Sequence, residues 1–236
     1  MMNTRITWSQ LVYPKRLLLV GLASVLTAFA LAGGMAAEGR AATVDIMYVY
    51  DTGATTWAAS NGGMDVFSQQ ITARLNQAMQ NSGIDLTLRF VHAMPVAYTT
   101  STLDNADSLL ALQAGQGAFA VVHETRNTYG ADLVAMLCDP SSSSSNAGWA
   151  YTLSSWLGKP TYGFSVNNVR YANTHYTLAH EVGHNFGAHH AKAQAYSPGP
   201  NTSLTNPSAL YSAGWYFTGT NLVKYNTIMA YYYDGY

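Results

Sequence analysis

Apolar residues recur along this chain at two spacings, one typical of strands and one of helices. The stretch 44–50, VDIMYVY, is rich in β-branched and aromatic residues and predicts a strand. Between residues 64 and 79 the apolar positions follow helical spacing, and Ser82 and Gly83 predict the end of that helix. Leu86, Leu88 and Phe90 then alternate with polar residues, which predicts a half-buried strand.

The same two patterns continue as far as residue 190. They predict two helices within 103–128 that break near Gly115 and Gly117, a buried strand at 132–137, and strands at 149–153 and 164–171. The serine run 141–145 is typical of a loop, and the chain after His190 is rich in Pro, Ser, Asn and Tyr, which predicts a loop-rich segment. Because strands and helices interleave, we expect an α/β or α+β fold with a mixed sheet.

Residues 1–42 have the pattern of a secretory signal peptide. Arg5, Lys15 and Arg16 form a basic start, residues 17–32 are uncharged and rich in Leu, Val and Ala, and small residues follow. The alternative is an uncleaved membrane anchor, since about 20 apolar residues can span a bilayer. We expect cleavage near residue 42 and a single domain at 43–236 that is secreted or periplasmic, with membrane attachment only if the segment is not cleaved.

The charge balance of the predicted mature chain argues against nucleic acid as a partner. The whole chain has 11 basic and 12 acidic residues, and four of the basic residues but only one of the acidic ones precede residue 43. The remainder is therefore acidic and has no cluster of Lys or Arg, whereas nucleic-acid-binding surfaces are basic. We therefore expect no nucleic-acid partner, and we expect a monomer.

Cys138 is the only cysteine, so neither an intrachain disulfide nor a four-cysteine zinc site is possible. Its neighbours Leu133, Val134, Met136 and Leu137 are apolar, which predicts a core residue rather than a nucleophile.

The stretch 180–190, HEVGHNFGAHH, holds four of the seven histidines. On a helix, His180 and His184 lie one turn apart on the same face, so both rings can bind one ion. Glu181 lies about 100° around the helix and can reach a water on the open side of that ion, as a general base would. Three imidazoles with one open position are typical of a catalytic zinc site.

The third ligand depends on how the chain turns after the helix. Gly187 tolerates the left-handed conformation that ends a helix, and such a turn could bring His190 back to the ion. No glutamate follows Glu181, and Asp234 is the only later aspartate. His189 competes for the role, but the spacing favours His190. The alternative is a histidine-rich surface helix. It requires His180, Glu181, His184, Gly187 and His190 to match the spacing of a zinc site by chance.

The stretch 180–190 resembles the metzincin signature HExxHxxGxxH, and residues 227–231, TIMAY, resemble the Met-turn of that clan. Residues 44–51, 129–134 and the segment from Val169 through the histidine helix resemble the bacterial peptidyl-Asp metallopeptidase family and the wider reprolysin-like group. Ala191 stands where many members have an aspartate.

This resemblance implies a twisted mixed sheet with long backing and zinc-binding helices, and a cleft over the zinc helix. It places an upper lobe before about residue 187 and a small irregular lower lobe at 188–236. Met229 would underlie the zinc site without ligating the ion, and Tyr231 would lie at the metal. Trp149, Ala150 and Tyr151 would belong to an edge strand that faces the substrate.

Together these features predict a secreted endopeptidase with one catalytic Zn²⁺. Zinc-activated water would attack the peptide bond, Glu181 would act as general base, and Tyr231 would stabilise the oxyanion. The alternative is a secreted or envelope-anchored binding protein that keeps the zinc-site scaffold with little or no turnover.

Overall fold

The computed structural model describes residues 42–153, 158–194, 197–199 and 212–231. The predicted signal peptide lies outside these ranges except for its last residue, so its cleavage stays a prediction. Among the described residues, no helix combines the length and hydrophobicity needed to cross a bilayer.

Five strands form one mixed sheet. They are β1 (Ala42–Tyr50), β2 (Leu86–Pro95), β3 (Leu133–Cys138), β4 (Gly148–Ala150) and β5 (Phe164–Asn168). Their order across the sheet is β2-β1-β3-β5-β4. The first four of these in space run parallel, and β4 pairs antiparallel with β5 at the edge. The expectation of a mixed sheet is confirmed.

Six α-helices accompany the sheet. They are α1 (Thr52–Ala59), α2 (Met64–Asn81), α3 (Asp107–Ala114), α4 (Ala120–Tyr129), α5 (Val169–Ala172) and α6 (Thr177–Asn185) among the described residues. The predicted break near Gly115 and Gly117 is confirmed, because Gly115 ends α3 in the left-handed conformation and a 3₁₀ turn at 117–119 precedes α4.

Helices cover both faces of the sheet, since alternate side chains of a strand point to opposite sides. On one face, Ile46 and Tyr48 of β1 share a buried cluster with Leu75 of α2 and Val182 of α6. On the other face, Met47 and Val49 of β1 pack with residues of α3 and α4. The helix that carries two of the histidines is thereby packed against the sheet.

The described part of the predicted lower lobe contains a small antiparallel sheet of β6 (Tyr216–Thr218) and β7 (Lys224–Asn226). His189 joins the chain after α6 to this region, because its N–H donates to Ser212 O at 2.6 Å and its carbonyl accepts from Gly214 N at 2.8 Å.

Two strand predictions were wrong at their ends. β5 stops at Asn168 because that side chain caps α5, accepting the N–H of Arg170 at 3.0 Å, so residues 169–171 are helical. β4 stops at Ala150, and Tyr151 lies beyond the strand in which it was predicted. The chain leaves the sheet there to contact α6, as the N–H of Leu153 donates to His184 O at 2.9 Å.

Two other predictions are confirmed. Cys138 is fully buried at the end of β3 and donates to Asn167 O at 3.4 Å, which makes it a core residue. The serine run 141–145 has neither helix nor strand.

Candidate metal centre

Three histidine side chains converge beneath a cleft. His180 and His184 lie one turn apart on α6, and His190 returns to them after the helix ends. Nε2 of His190 lies 3.1 Å from Nε2 of His180 and 3.0 Å from Nε2 of His184. These three residues form a group able to hold a metal ion.

Each of the three rings uses its other nitrogen to donate to a backbone carbonyl. The Nδ1 donors and their acceptors are His180 to Ile228 O at 2.7 Å, His184 to Ala188 O at 2.7 Å and His190 to Ser197 O at 2.8 Å. A carbonyl can only accept, so Nδ1 carries the proton in all three rings and Nε2 is left as a lone pair.

Three lone pairs that face one another repel unless a cation lies between them. In a tetrahedral zinc site with Zn–N of about 2.0–2.1 Å, ligand nitrogens lie about 3.3–3.4 Å apart. The Nε2 separations of 3.0 and 3.1 Å between His190 and its two partners are close to that spacing. The donor set therefore fits a tetrahedral metal ion with one open position.

Burial keeps these rings neutral, which is the form that binds metal. It lowers the pKa of His180 to about 4 and, with the neighbouring His180 ring, the pKa of His184 to about 3. Burial also lowers the pKa of His190. No proton has to be removed from these nitrogens near neutral pH before an ion binds.

The turn that returns His190 requires glycine at 187. Gly187 has φ +90°, and a Cβ there would also lie 3.2 Å from Leu153 O. The N–H of Gly187 donates to His184 O at 2.8 Å, and the N–H of Ala188 donates to Gly183 O at 2.9 Å. These bonds satisfy carbonyls at the end of α6. Gly187 thus follows Phe186, the C-cap of α6, at the turn for which the sequence proposed it.

Glu181 is 5% exposed and lines the same cavity as His180 and His184. Its side chain packs closely against Gly148 at the start of β4. The approach is so close that a Cβ added at Gly148 would lie 2.7 Å from Oε1 of Glu181. Burial raises the pKa of Glu181 to about 8. A bound cation would act in the opposite direction, because a positive charge favours the carboxylate.

Met229 packs against the backbone of the histidine helix. A Cβ at Gly183 of α6 would lie 2.6 Å from Sδ of Met229, so glycine lets the methionine side chain come this close to the helix backbone. The preceding residue, Ile228, accepts the Nδ1 proton of His180. Met229 thus lies against the helix that carries His180 and His184.

Tyr231 lies beside the histidines, with its ring centroid 4.6 Å from that of His190 and 5.8 Å from that of His180. Its carbonyl accepts from the hydroxyl of Tyr216 at 2.7 Å. It also lines the cavity, whereas the following residues, 232–236, lie outside the described residues.

The cavity over this group has a volume of about 280 Å³. Trp149 and Ala150 of the edge strand β4 line it, and the indole of Trp149 is anchored by donating to Leu103 O at 2.6 Å. Tyr151 was predicted on this strand, but it is not among the lining residues and its ring stacks on Tyr162 at 4.7 Å. His189 lines the cavity without joining the three-histidine group.

Several residues of this site escaped sequence reasoning. Gly148 accommodates Glu181, Asn185 ties α6 to the sheet, and Gln194 contacts the loop of His190. The acceptors of the three Nδ1 protons are backbone carbonyls, which any residue can supply. No sequence pattern marks these positions, because their roles arise from contacts between segments that are distant along the chain or irregular in structure.

Comparisons with known proteins bear on this arrangement. The family model described as "Metallo-peptidase family M12" (Reprolysin_5) matches residues 40–236. The peptidyl-Asp metalloendopeptidase of Stenotrophomonas maltophilia strain K279a is 29% identical over 198 residues, which cover 83% of this chain and 43% of that protein. The protein of the same name from Pseudomonas aeruginosa is 30% identical over 216 residues, covering 86% of this chain and 34% of that protein.

The chain thus spans less than half the length of these curated relatives. Among solved structures, one described as "Structure of a chaperone-substrate complex" matches with a TM-score of 0.56 and 18% identity. The match covers 84% of this chain and 28% of that chain. It shows that the two chains have a similar fold.

Proposed function

Because the chain belongs to metallo-peptidase family M12, we propose that it is a zinc-dependent endopeptidase in which Glu181 is the general base. The observation that carries the proposal is the convergence of Nε2 of His180, His184 and His190 in the wall of a cavity that Glu181 also lines. These three nitrogens would hold the ion. When bound, zinc supplies a Lewis acid that acidifies water and polarises a peptide carbonyl.

Glu181 is placed to move the proton during hydrolysis. It follows His180 directly on α6, and its buried carboxyl group packs against Gly148, which lines the cavity. In the proposed reaction this carboxylate accepts a proton from the attacking water and returns it to the leaving amine. The contact with Gly148 restricts where the carboxylate can lie and so orients it.

Tyr231 would stabilise the charge that develops on the carbonyl oxygen. Its ring lies beside His190, and its backbone is held by the hydroxyl of Tyr216. A phenol hydroxyl directed into the cavity would donate a hydrogen bond to the oxyanion more strongly than to the neutral carbonyl.

The substrate would bind as an extended strand along β4. β4 is the edge strand of the sheet, and Trp149 and Ala150 line the cavity. An edge strand offers free backbone groups that can pair with a peptide. The relatives bear the name peptidyl-Asp metalloendopeptidase, and we extend to this chain the hypothesis that an aspartate beside the cleaved bond is preferred.

We also propose that the protein is exported after cleavage near residue 42 and acts as a monomer. Export is supported by the basic, apolar and small-residue order of the first 42 residues. N-terminal sequencing of material secreted from expressing cells tests the cleavage, and a retained segment 1–42 with membrane association would favour the anchored alternative.

The test of the enzymatic proposal is hydrolysis of casein, followed by a library of peptides that carry aspartate at each position. Activity should disappear with a chelator and return with added zinc. A protein that binds zinc but cleaves nothing in the library would favour the binding-protein alternative.

A further inference from the structure

Gln194 is a buried amide in the loop that follows His190. It is 3% exposed, and both ends of its side chain have partners. Nε2 donates to Ser197 O at 3.0 Å, and Oε1 accepts the backbone N–H of Tyr231 at 3.3 Å. One side chain therefore bridges the loop of His190 and the segment that carries Tyr231.

The partners determine which way the amide points. Ser197 O can only accept, and the N–H of Tyr231 can only donate. A reversed amide would place two acceptors together at Ser197 and two donors together at Tyr231. The orientation with Nε2 toward Ser197 is thus the one that the surroundings permit.

Ser197 O is also the acceptor for Nδ1 of His190, at 2.8 Å. A carbonyl oxygen has two lone pairs, so it can accept from the ring and from Gln194 together. The donation from Gln194 fixes the carbonyl against which the ring of His190 is oriented. On the other side, Gln194 holds the backbone of Tyr231, whose ring lies 4.6 Å from the ring of His190.

The backbone conformation of the loop at Ser197 requires stabilising contacts. Ser197 has φ +48°, a left-handed conformation that is unfavourable for serine and persists only where neighbouring contacts hold it. Ala191 O accepts from the N–H of Gln194 at 3.3 Å and from the N–H of Gly199 at 3.1 Å, which closes the loop at its base. Gln194 thus bonds both to Ala191 at the base of the loop and to Ser197.

We propose that Gln194 is a positioning residue of this centre, which sets the orientation of His190 through Ser197 O and the place of Tyr231 through its backbone N–H. The inference rests on the proposed function, since it assumes that His190 binds the ion. It extends that proposal to a residue that touches neither the ion nor the substrate.

Two variants separate the two bonds made by Gln194. Gln194→Met keeps a similar volume and loses both. Gln194→Glu keeps an acceptor for the N–H of Tyr231 but places a second oxygen against Ser197 O, so the bond to Ser197 is replaced by repulsion. Gln113→Met is the control, because Nε2 of Gln113 donates to Thr161 O at 3.3 Å and Gln113 does not line the cavity over His180, His184 and His190.

The experiment measures zinc affinity by chelator competition, the absorption bands of the Co²⁺-loaded protein, and thermal unfolding of the metal-free full chain. Loss of a residue that orients a metal ligand costs roughly 10- to 100-fold in metal affinity. Both Gln194 variants should weaken zinc binding by about tenfold or more and alter the Co²⁺ bands, whereas Gln113→Met should do neither. With zinc saturating, Gln194→Met should also lower kcat more than Gln194→Glu, because it alone releases Tyr231.

Zinc affinity and Co²⁺ bands that match those of Gln113→Met in both Gln194 variants would overturn the inference while leaving the proposed function intact. If Gln194→Met fails to fold, the result for Gln194→Glu decides. Absence of zinc binding by the unaltered chain would overturn both the inference and the proposed function.

Discussion

The carbonyl oxygen of Ile228 lies 2.7 Å from Nδ1 of His180 and accepts its proton. This bond joins two segments that are 48 residues apart, the histidine helix and the turn that carries Met229. It fixes the tautomer of His180, so that Nε2 presents its lone pair to the neighbouring histidines. The turn after β7 therefore contributes to the metal centre through its backbone as well as through the packing of Met229.

Replacing Glu181 with Gln should abolish most of the turnover without loss of metal. The amide has nearly the same shape but cannot take a proton, and removal of a general base typically lowers kcat by about 10²- to 10⁴-fold. Peptide hydrolysis, zinc content and thermal unfolding should be measured together. Near-normal activity of Glu181→Gln would require a different base.

Gly148→Ala should impair catalysis through the placement of Glu181. The added methyl group would lie 2.7 Å from Oε1 and 2.8 Å from Cγ of Glu181, so the carboxyl group must move. We expect a fall in kcat with zinc content unchanged, because the three heavy atoms nearest to the added methyl group all belong to Glu181 and none to a histidine. Unaltered kcat would mean that the carboxylate acts equally well from another position.

Much of this site could be predicted from the sequence where the relevant spacing is local. The i, i+4 relation of His180 and His184 and the turn at Gly187 depend on a few neighbouring residues. Tyr151 was misplaced because the chain leaves the sheet to contact α6, which strand alternation does not reveal. The extent of β5 was overestimated because capping by Asn168 outweighs the β-propensity of the residues that follow. Gln194 was missed because its partners are irregular backbone.

Tyr231→Phe should retain zinc and stability but lower kcat. Loss of one donor to an oxyanion costs about 10²-fold or more in kcat. Tyr232→Phe and Tyr233→Phe are the matched controls and should have little effect. Steady-state kinetics of the three variants decides the matter, and equal behaviour of all three would remove the special role of Tyr231.

Asn185→Ala should destabilise the fold. Nδ2 of this buried residue lies 3.0 Å from Tyr151 O and 3.1 Å from Phe164 O, and it ties the end of α6 to β5. Leaving buried carbonyls without a donor costs about 1–3 kcal/mol, which denaturant unfolding can measure.

Asn61→Ala is the control for that measurement, since Nδ2 of Asn61 donates to Trp57 O at 2.7 Å at an exposed position. It should change the free energy of unfolding by no more than about 0.5 kcal/mol. Equal losses in the two variants would contradict the tie between α6 and the sheet.

The central claim is that His180, His184 and His190 hold one zinc ion, and elemental analysis of the purified chain with two histidine variants tests it most directly. His190 has its Nε2 within 3.1 Å of both partners, whereas His189 lies outside this group. We predict one zinc per chain in the unaltered protein and in His189→Ala, and loss of zinc in His190→Ala. An unaltered chain without stoichiometric zinc, or the reverse ranking of the two variants, would contradict the account.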